Sequence, residues 1–329
     1  GGSLEPEIIP FEPDLDRTSV GKRIRFQNEV QEIRSRFPLH GKRLLFSADP
    51  TRKDESNTMP TFAHAAAQNL STVRAKAPLV HNITNLVVMN YTANALLAMG
   101  ASPVMAHAIE EVEEMVALAG ALVLNIGTLT AQWVEAMLKA GRRAAQIGTP
   151  VILDPVGAGA TPLRTRAAGR IIAEAHPAVI RGNASEILAL SQAGARTRGV
   201  DSRHNVDQAA AAARRLAAEL PSVLAITGPV DLLTDGRRVV RVANGHPLMG
   251  RVTGTGCTAT AAIAAFLAVD PDPLRAAATA LAYFGLAGET AARAAAAPGS
   301  FMIALLDALY TITPEQLEAG CRIEESNAS

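Results

Sequence analysis

The run from Val252 to Cys257 has the residue types of an anion-binding turn. It contains two glycines and leads straight into a stretch of small residues, 258–266, that is typical of a helix. A glycine-rich turn that opens a helix leaves backbone N–H groups unpaired, and the helix dipole favours an anion beside them. The run therefore predicts a phosphate or oxyanion hole built from four residues: Gly254, Thr255, Gly256 and Cys257.

Cys257 adds a side chain that could take part in proton transfer. It falls in the first turn of the predicted helix, where the pKa of a thiol tends to be lowered, so we expect it to be a candidate base. An alternative interpretation of the same run is structural, because small residues also let a helix pack closely against its neighbours.

Polar side chains follow several apolar runs at the points where the predicted strands end. They are Asp154, Arg181, Asn183, Glu186 and Thr227. Because the carboxyl ends of parallel strands meet at one edge of a sheet, we expect these side chains and Cys257 to face one cleft. Asp154 and Glu186 could hold a hard divalent cation, directly or through water. Arg181 and Thr227 could bind phosphate oxygens.

The two carboxylates also have structural interpretations. Asp154 precedes a proline and could simply cap a turn. Glu186 stands three residues after Asn183 at a predicted helix start, which is the spacing of a capping box. The gathering of six such groups, five of them at predicted strand ends, favours a phosphate-handling site over a set of unrelated caps.

Two further segments supply candidate contacts to a substrate. Residues 81–85 place side-chain amides, including that of Asn85, before a helix predicted from about residue 86 to 99, where the amides could also serve only as N-caps. Residues 102–107 end a strand with the flexible thioether of Met105. A methionine there suits an adaptable apolar wall for an aromatic ligand, although filling core space is the commoner role.

The rest of the pattern predicts the scaffold that positions these residues. Apolar runs at 102–105, 121–126, 151–154, 178–181 and 223–227 alternate with predicted helices at 110–119, 132–147 and 205–220. This alternation predicts an α/β fold with a mostly parallel central sheet flanked by helices. The pair Asp235-Gly236 between two short apolar runs predicts a hairpin. After Cys257 we expect helices almost to the end of the chain and no strand.

Composition excludes several classes of protein. The chain has 329 residues, a formal net charge of zero and 4% aromatic residues, which argues against nucleic acid or an anionic membrane as a partner. No apolar run approaches the ~20 residues of a membrane span. The 2 cysteines, Cys257 and Cys321, lie far apart, so neither a disulfide framework nor a zinc site is predicted and a reducing cytoplasm is the expected location.

The first part of the chain differs from the rest. Residues 1–61 mix proline with charged residues and show few periodic apolar positions, and residues 49–57 have the composition of a linker. We therefore interpret residues 1–61 as an N-terminal extension that is peripheral or partly disordered, and residues 62–329 as the domain that carries the chemistry.

From about Phe62 to its end, the chain resembles the hydroxyethylthiazole kinase family of the ribokinase-like superfamily. The matching segments stand in the family's order at 81–85 (HNITN), 100–105 (GASPVM), 154–159 (DPVGAG), 181–186 (RGNASE), 226–228 (ITG) and 254–257 (GTGC). In the wider superfamily the position of Cys257 is usually aspartate, and cysteine there is typical of thiazole kinases in particular. The extension before Phe62 is not part of the family core.

The resemblance implies a ribokinase-like α/β fold and transfer of the ATP γ-phosphoryl group to the hydroxyethyl oxygen of 4-methyl-5-(2-hydroxyethyl)thiazole, a step of thiamine salvage. By similarity, Cys257 lies beside that hydroxyl as the candidate base. The thiazole contacts implied by the family are Met105, Asn85 and Gly254.

The same resemblance assigns the remaining residues to the nucleotide and the metal. Arg181, Thr227 and Asn183 bind ATP by similarity. Asp154 and Glu186 organise Mg²⁺, largely through water and phosphate. Family members form homotrimers with active sites between subunits, so a neighbouring subunit is expected to complete each thiazole pocket.

Two other functions remain open on the sequence. One is a related kinase acting on a pyrimidine, pyridoxal-like or sugar alcohol, against which Cys257 is the main argument. The other is a non-catalytic sensor of thiamine precursors. A sensor needs no ATP machinery, so the strand-end residues that suit phosphate and metal argue against it.

Overall fold

The apolar runs of the sequence form the strands of one sheet, and the stretches between them form helices on its two faces. The structure is a computed structural model that describes residues 61–194 and 206–327. Within these ranges the strands are β1 (Leu79–Ile83), β2 (Ser102–Val104), β3 (Ala121–Asn125), β4 (Val151–Asp154), β5 (Val179–Gly182), β6 (Val223–Ile226), β7 (Asp231–Thr234), β8 (Arg238–Val242) and β9 (Ile323–Asn327).

The helices alternate with the first six strands and then dominate the C-terminal part. They are α1 (Phe62–Lys76), α2 (Met89–Met99), α3 (Val112–Leu118), α4 (Ala131–Ile147), α5 (Pro162–Ala175), α6 (Ala184–Gly194), α7 (Val206–Glu219), α8 (Thr255–Leu267), α9 (Pro273–Ala294), α10 (Pro298–Thr311) and α11 (Pro314–Gly320). A short 3₁₀ helix, Pro247–Arg251, precedes α8.

The sheet has the strand order β2-β1-β3-β4-β5-β6-β7-β8-β9. Every pair from β2 through β6 is parallel, and the last three pairs are antiparallel. This arrangement confirms the predicted α/β fold with a mostly parallel sheet flanked by helices, and it confirms the hairpin formed by β7 and β8. All the parallel strands therefore end at the same edge.

Each face of the sheet carries its own apolar core, because successive side chains of a strand point to opposite faces. In β3, Val123 belongs to the core that includes residues of α1, α2, α8 and α9, whereas Leu122 and Leu124 belong to the core that includes residues of α3 to α7. Burial on both faces explains why β3 and β4 read as continuous apolar runs.

Local signals in the sequence set where several helices begin. The hydroxyls of Thr130 and Thr161 accept hydrogen bonds from backbone N–H groups in the first turns of α4 and α5. Asp272 caps α9 by accepting from two backbone N–H groups. Such N-caps satisfy donors that have no partner inside the helix, so the helix start is fixed by a single side chain.

The structure differs from the sequence-based expectations at three places. Residues 79–83 form β1, so the segment 81–85 is mostly strand, and the following helix begins at Met89 instead of near residue 86. Near the C-terminus, β9 pairs antiparallel with β8, and the expectation of no strand after Cys257 was wrong. The polar residues of β9, Glu324 and Glu325 among them, lie at the edge of the sheet, where no apolar alternation is required.

Residues 1–60 lie outside the described residues, so the interpretation of residues 1–61 as a peripheral extension stays a prediction. Thr61, the last of them, caps α1 by accepting a hydrogen bond from the backbone N–H of His64. Among the helices of the two described ranges, none is both long enough and apolar enough to cross a membrane.

Candidate active site

The predicted site residues stand in a row along the carboxyl edge of the sheet. In the order of the strands β2, β1, β4, β5 and β6, the row runs through Met105, Asn85, Asp154, Arg181 and Thr227. Neighbouring strands lie roughly 4.8 Å apart, so the number of strands between two of these residues gives their approximate separation. The strand-end groups do lie at one edge, but of the six residues predicted to face one cleft only Arg181, Asn183 and Thr227 line the cavity found there.

The first turn of α8 meets this row. It requires glycine at two positions, for a different reason at each. Gly254 is the N-cap with φ of 85°, in the left-handed region that favours glycine. A Cβ at Gly256 would lie 2.8 Å from Nη1 of Arg181, so only glycine lets the guanidinium approach the helix so closely. The first intrahelical bond runs from Thr258 N–H to the Gly254 carbonyl, which leaves the N–H groups of residues 255–257 without a partner in the helix.

Arg181 places a positive charge beside this helix N-terminus. Its side chain is only 13% exposed, and Nη2 donates a hydrogen bond to Oγ1 of Thr227 at 2.5 Å. Nη1 lies 3.6 Å from Oδ2 of Asp154. The buried Nε has no hydrogen-bond partner among the described residues, so the guanidinium retains a donor for a ligand.

A chain of side-chain amides joins Cys257 to Asp154. Nδ2 of Asn85 donates to Sγ of Cys257 at 3.4 Å and to Oδ1 of Asn125 at 2.9 Å. Nδ2 of Asn125 in turn donates to Oδ2 of Asp154 at 2.8 Å. Backbone N–H groups fix both amide orientations, since Val87 donates to Oδ1 of Asn85 and residue 127 donates to Oδ1 of Asn125.

The Cys257 thiol does not have the lowered pKa expected from its place in the helix. Burial, together with the nearby Asp154 carboxylate, raises its pKa to about 11. Hydrogen bonds from the Asn125 and Asn85 side chains act in the opposite direction and are outweighed. The expectation of a thiol activated by the helix N-terminus was therefore wrong for the protein without ligands, in which Cys257 is protonated at neutral pH.

Asp154 is a buried carboxyl with one free oxygen. Its side chain is 1% exposed, and Oδ2 accepts hydrogen bonds from Asn125 and from Oγ1 of Thr260 at 2.9 Å. Oδ1 has no hydrogen-bond partner among the described residues. Burial raises the pKa of Asp154, and the Arg181 charge opposes this. An oxygen that is buried and unpartnered fits a ligand of a hard cation or of its hydration shell.

Glu186 forms the capping box that its spacing allowed. Oε2 accepts from the Asn183 backbone N–H at 2.8 Å, and the Asn183 side chain accepts from the Glu186 N–H at 3.0 Å. Oε1 accepts from the Gly157 N–H at 2.8 Å, which ties the loop after β4 to the start of α6. In the part of the chain that the structure describes, no group of three or more His, Cys, Asp or Glu side chains could hold a metal ion.

One end of the row opens into a cavity of about 530 Å³. Its polar wall includes Arg181, Asn183 and Thr227 together with the first turn of α8, and its apolar wall includes Leu281 and Phe284 of α9. The acceptor-side residues predicted from the sequence lie outside this cavity: Met105, Asn85, Gly254 and Cys257. Of the residues predicted to bind ATP, Arg181, Asn183 and Thr227 all line this cavity.

Met105 is half-buried and follows the outermost parallel strand. The loop that carries it is held at two points. Nε2 of the buried His81 donates to the Ala106 carbonyl at 2.7 Å, an assignment that follows because a carbonyl can only accept. The His107 ring stacks on Trp133 with centroids 4.4 Å apart. Burial lowers the pKa of His81, so its ring is neutral.

Three residues of the site were not identified from the sequence. Asn125 is the sole polar residue in the buried strand β3 and pairs in register with Asp154, a signal that the strand pattern contained. Arg164 donates to the carbonyls of Ile126, Val156 and residue 127, so one side chain braces the loops after β3 and β4. Asp231 is the first residue of β7 and lines the cavity, but no sequence motif marks an acidic residue at the start of a strand as functional.

Comparison with known proteins agrees with this geometry. The model of the hydroxyethylthiazole kinase family matches residues 70–315. A hydroxyethylthiazole kinase of Desulfotalea psychrophila is 66% identical over 271 residues, which are 82% of this chain and 99% of the relative. The structure of a hydroxyethylthiazole kinase protein from Pyrococcus horikoshii OT3 is similar at 47% identity with a TM-score of 0.74, covering 79% of this chain and 98% of that one.

A more distant likeness concerns the fold alone. A ribokinase-like superfamily protein from Enterococcus faecalis V583 matches with a TM-score of 0.51 at 16% identity, over 78% of this chain and 96% of that one. The ribokinase-like architecture is thus confirmed, and the extensive identity to the nearer relatives assigns the sequence within it. The chain belongs to the hydroxyethylthiazole kinase family.

Proposed function

We propose that this chain transfers the γ-phosphoryl group of ATP to the hydroxyethyl oxygen of 4-methyl-5-(2-hydroxyethyl)thiazole, giving the thiazole phosphate for thiamine salvage. Family membership supports the substrate. The observation that carries the reaction is the position of Arg181 and Thr227, which line a cavity at the N-terminus of α8, the helix that carries Cys257. A cationic side chain, a hydroxyl and free backbone N–H groups are the donors that a triphosphate requires.

The nucleotide side of the row would bind ATP. Arg181 neutralises phosphate charge with its unpartnered Nε and its two terminal nitrogens, while Thr227 orients the guanidinium by accepting from Nη2. Asn183 lies in the same wall, at the start of α6. The backbone N–H groups of residues 255–257 form the anion hole for the phosphoryl group in transfer, together with the Gly254 turn.

The acceptor side of the row would bind the thiazole. Met105 supplies an adaptable apolar wall, Asn85 an amide, and Gly254 a backbone surface without a side chain. Cys257 lies at the junction of the two sides, beside the acceptor hydroxyl. With a thiol pKa of about 11, Cys257 meets that hydroxyl as a hydrogen-bonding group and not as a preformed thiolate.

Weak basicity at this position is compatible with the reaction. Phosphoryl transfer has a loose transition state, so the rate depends mainly on positioning and on neutralisation of charge. The bond from the terminal phosphorus to the ADP oxygen breaks as the bond to the hydroxyethyl oxygen forms, and the hydroxyl proton passes late to an oxygen of the transferred phosphoryl group. The amide chain from Cys257 through Asn85 and Asn125 to Asp154 holds the acceptor side and the phosphate side in one geometry.

We propose Mg²⁺ as the metal that accompanies ATP. When bound, it neutralises charge on the phosphates and aligns them for transfer. Asp154 would hold it or its water through the free Oδ1. Glu186 would contribute less directly, because both of its oxygens already accept backbone N–H groups. So few carboxylates suit Mg²⁺, which usually keeps several waters and substrate phosphates as ligands.

We further propose a homotrimer in the cytoplasm. The residues proposed to bind the thiazole lie outside the cavity, and Leu86 and Val87, directly after Asn85, are 63% and 65% exposed. A neighbouring subunit seated on them would complete the thiazole pocket. Both cysteines are free thiols, which suits a reducing compartment.

A coupled assay of ADP release tests the proposal. We expect ADP release with ATP and Mg²⁺ to depend on hydroxyethylthiazole and to be far weaker with pyridoxal, a hydroxymethylpyrimidine or ribose at equal concentration. An absence of thiazole-dependent ADP release, in protein shown to be folded, would contradict the proposal. A stronger response to one of the other alcohols would assign the chain a different substrate.

A further inference from the structure

The cavity wall continues along the sheet edge beyond the residues assigned to phosphate. In strand order it passes Arg181 at β5, Thr227 at the end of β6, Asp231 at the start of β7 and Asn244 just after β8. With strands roughly 4.8 Å apart, Asp231 stands one strand beyond Thr227 and two beyond Arg181. The polar wall therefore has an acidic position at a defined distance from the phosphate end.

Asp231 presents one free carboxylate oxygen at this position. The residue is 8% exposed, and Oδ1 accepts a hydrogen bond from the backbone N–H of Gly228 at 2.9 Å. That bond fixes the carboxyl and leaves Oδ2, which has no hydrogen-bond partner among the described residues, as the oxygen available to a ligand. Burial raises the pKa of Asp231 to about 6, so the carboxyl is mostly ionised at neutral pH and lacks the solvation of an exposed one.

An ionised carboxylate selects the part of a nucleotide that can lie against it. It can only accept hydrogen bonds, and it repels phosphate, so the group beside it must carry neutral donors. If the phosphates occupy the Arg181 and Thr227 end, the next group along the nucleotide is the ribose, and the apolar wall formed by Leu281 and Phe284 remains for the base. Acidic residues read ribose hydroxyls in the same way in dinucleotide-binding folds.

We propose that Asp231 is a specificity-determining residue that accepts a hydrogen bond from a ribose hydroxyl of the bound nucleotide through Oδ2. The inference rests on the proposed use of ATP and adds how the site distinguishes a ribonucleotide from a deoxyribonucleotide. Arg181 and Thr227 carry no information about the sugar, because they face the phosphates.

The test compares ATP with 2′-deoxy-ATP and 3′-deoxy-ATP as phosphoryl donors to hydroxyethylthiazole. A hydrogen bond to a charged group contributes enough that we expect kcat/KM to favour ATP over at least one deoxy analogue by about tenfold in the wild type. In Asp231→Asn the Gly228 N–H would still donate to the side-chain oxygen, Oδ1. The NH₂ group of the asparagine, a donor, would then replace the acceptor Oδ2. We expect the preference to fall to about twofold or less.

Two controls make the result specific. Asp307→Asn, an exposed change on α10, should keep the wild-type preference. Calorimetric Kd values for the three nucleotides on the protein alone give the same comparison without turnover, so a failure of the proposed reaction is recorded separately. Should Asp231→Asn not fold, Asp231→Ser retains an oxygen near the Gly228 N–H and replaces it in both measurements.

The outcomes divide cleanly between support and contradiction. Loss of the ribose preference in the Asp231 variant, with normal use of a deoxy analogue, supports the inference. Equal Kd and kcat/KM for all three nucleotides in the wild type would overturn it. An unchanged preference in a folded Asp231 variant would overturn it as well, whichever alcohol proves to be the acceptor.

Discussion

At the scale of single residues, burial decides the chemistry of Cys257 more than its place in a helix does. The thiol stands in the first turn of α8, where the dipole favours a thiolate. Desolvation and the Asp154 charge disfavour the thiolate, and together they raise the thiol pKa to about 11. The residue is therefore better described as a positioned hydrogen-bonding group than as a strong base.

Substitutions at Cys257 separate these roles. We expect Cys257→Ala and Cys257→Ser to lower kcat by about 100-fold or less, with the KM for ATP nearly unchanged, because the thiol meets the acceptor and a loose transition state asks little of a base. Cys257→Asp should keep substantial activity, since a carboxylate can accept the hydroxyl proton in a comparable space. Steady-state kinetics in both substrates measure the effects.

The opposite ranking at Cys257 would change the interpretation. If Cys257→Asp is inactive while Cys257→Ala is nearly normal, proton transfer does not involve this side chain. The first turn of α8 would then act only through its backbone N–H groups.

The raised pKa also predicts slow chemical modification. Because burial raises the thiol pKa of Cys257 to about 11 from an ordinary 9.0, its thiolate fraction at pH 8 falls roughly a hundredfold, and alkylation by iodoacetamide should slow by a similar factor. The rate should keep rising with pH above 9, where an ordinary thiol levels off. Cys321→Ser provides a protein with Cys257 as its single thiol, and the unfolded chain provides the reference rate.

Fast alkylation of native Cys257 at pH 8, at the rate of the unfolded chain, would contradict the raised pKa. A rate above that of the unfolded chain would show that the helix N-terminus activates the thiol.

Much of the site could be predicted at the residue scale, and what was missed has a physical reason. Asp154, Arg181 and Thr227 follow apolar runs, and parallel strands must bring such ends together. Asn125 depends on partners 40 and 29 residues away along the chain, Asn85 and Asp154, which no local pattern connects. The thiol pKa was predicted wrongly because a local rule about helix termini contains no information about tertiary burial.

At the scale of elements, the contact between α8 and β5 creates the proposed anion site. Gly256 lies in the second position of α8 and faces the Arg181 guanidinium, which extends from β5. Because of this close approach, the free backbone N–H groups of α8 and the Arg181 guanidinium could bind the same anion. β1 and β9 were missed from the sequence because polar residues interrupt one and fill the other, whereas the apolar runs of β3 and β4 were unambiguous.

A methyl group at Gly256 tests this contact. In Gly256→Ala the new Cβ would lie 2.8 Å and 2.9 Å from the two terminal nitrogens of Arg181, so the guanidinium must move. Loss of one charge-assisted hydrogen bond to phosphate corresponds to about 1.5–3 kcal/mol, and we expect kcat/KM for ATP to fall about tenfold or more. Initial rates at varied ATP measure the change.

Gly169→Ala is the matched control for the Gly256 variant. It lies within α5 with no atom within 4 Å of the added methyl, so kinetics should stay as in the wild type while the helix gains stability. Equal ATP kinetics in Gly256→Ala and Gly169→Ala would show that Arg181 does not need its present position.

At the scale of the whole molecule, the order of the strands in the sheet sets the order of the site residues along its carboxyl edge. In the proposed arrangement the acceptor would lie towards β2 and β1, the transfer would take place at β3 to β5, and the nucleotide would extend towards β8. Every residue to which we assign a role follows Phe62. α1 is the first described helix. Thr61 caps it, and its Leu70 and Val73 are fully buried in the core.

This organisation predicts that the N-terminal region is dispensable for turnover. Deleting residues 1–57 should leave kcat within a few-fold of the full chain, because this region mixes proline with charged residues and shows few periodic apolar positions. A second deletion that also removes α1 should abolish folding, since it strips Leu70 and Val73 from the core. Activity lost in the shorter deletion, in folded and correctly assembled protein, would show that the extension contributes to the site.

The fate of the γ-phosphoryl group tests the central claim most directly. With ATP labelled at the γ-phosphate and hydroxyethylthiazole as acceptor, we predict labelled thiazole phosphate and ADP in equal amounts, identified by mass spectrometry. The analogue in which an ethyl group replaces the hydroxyethyl group should give neither. ADP formed without labelled thiazole phosphate, or equal ADP release with the ethyl analogue, would contradict phosphoryl transfer to the thiazole hydroxyl.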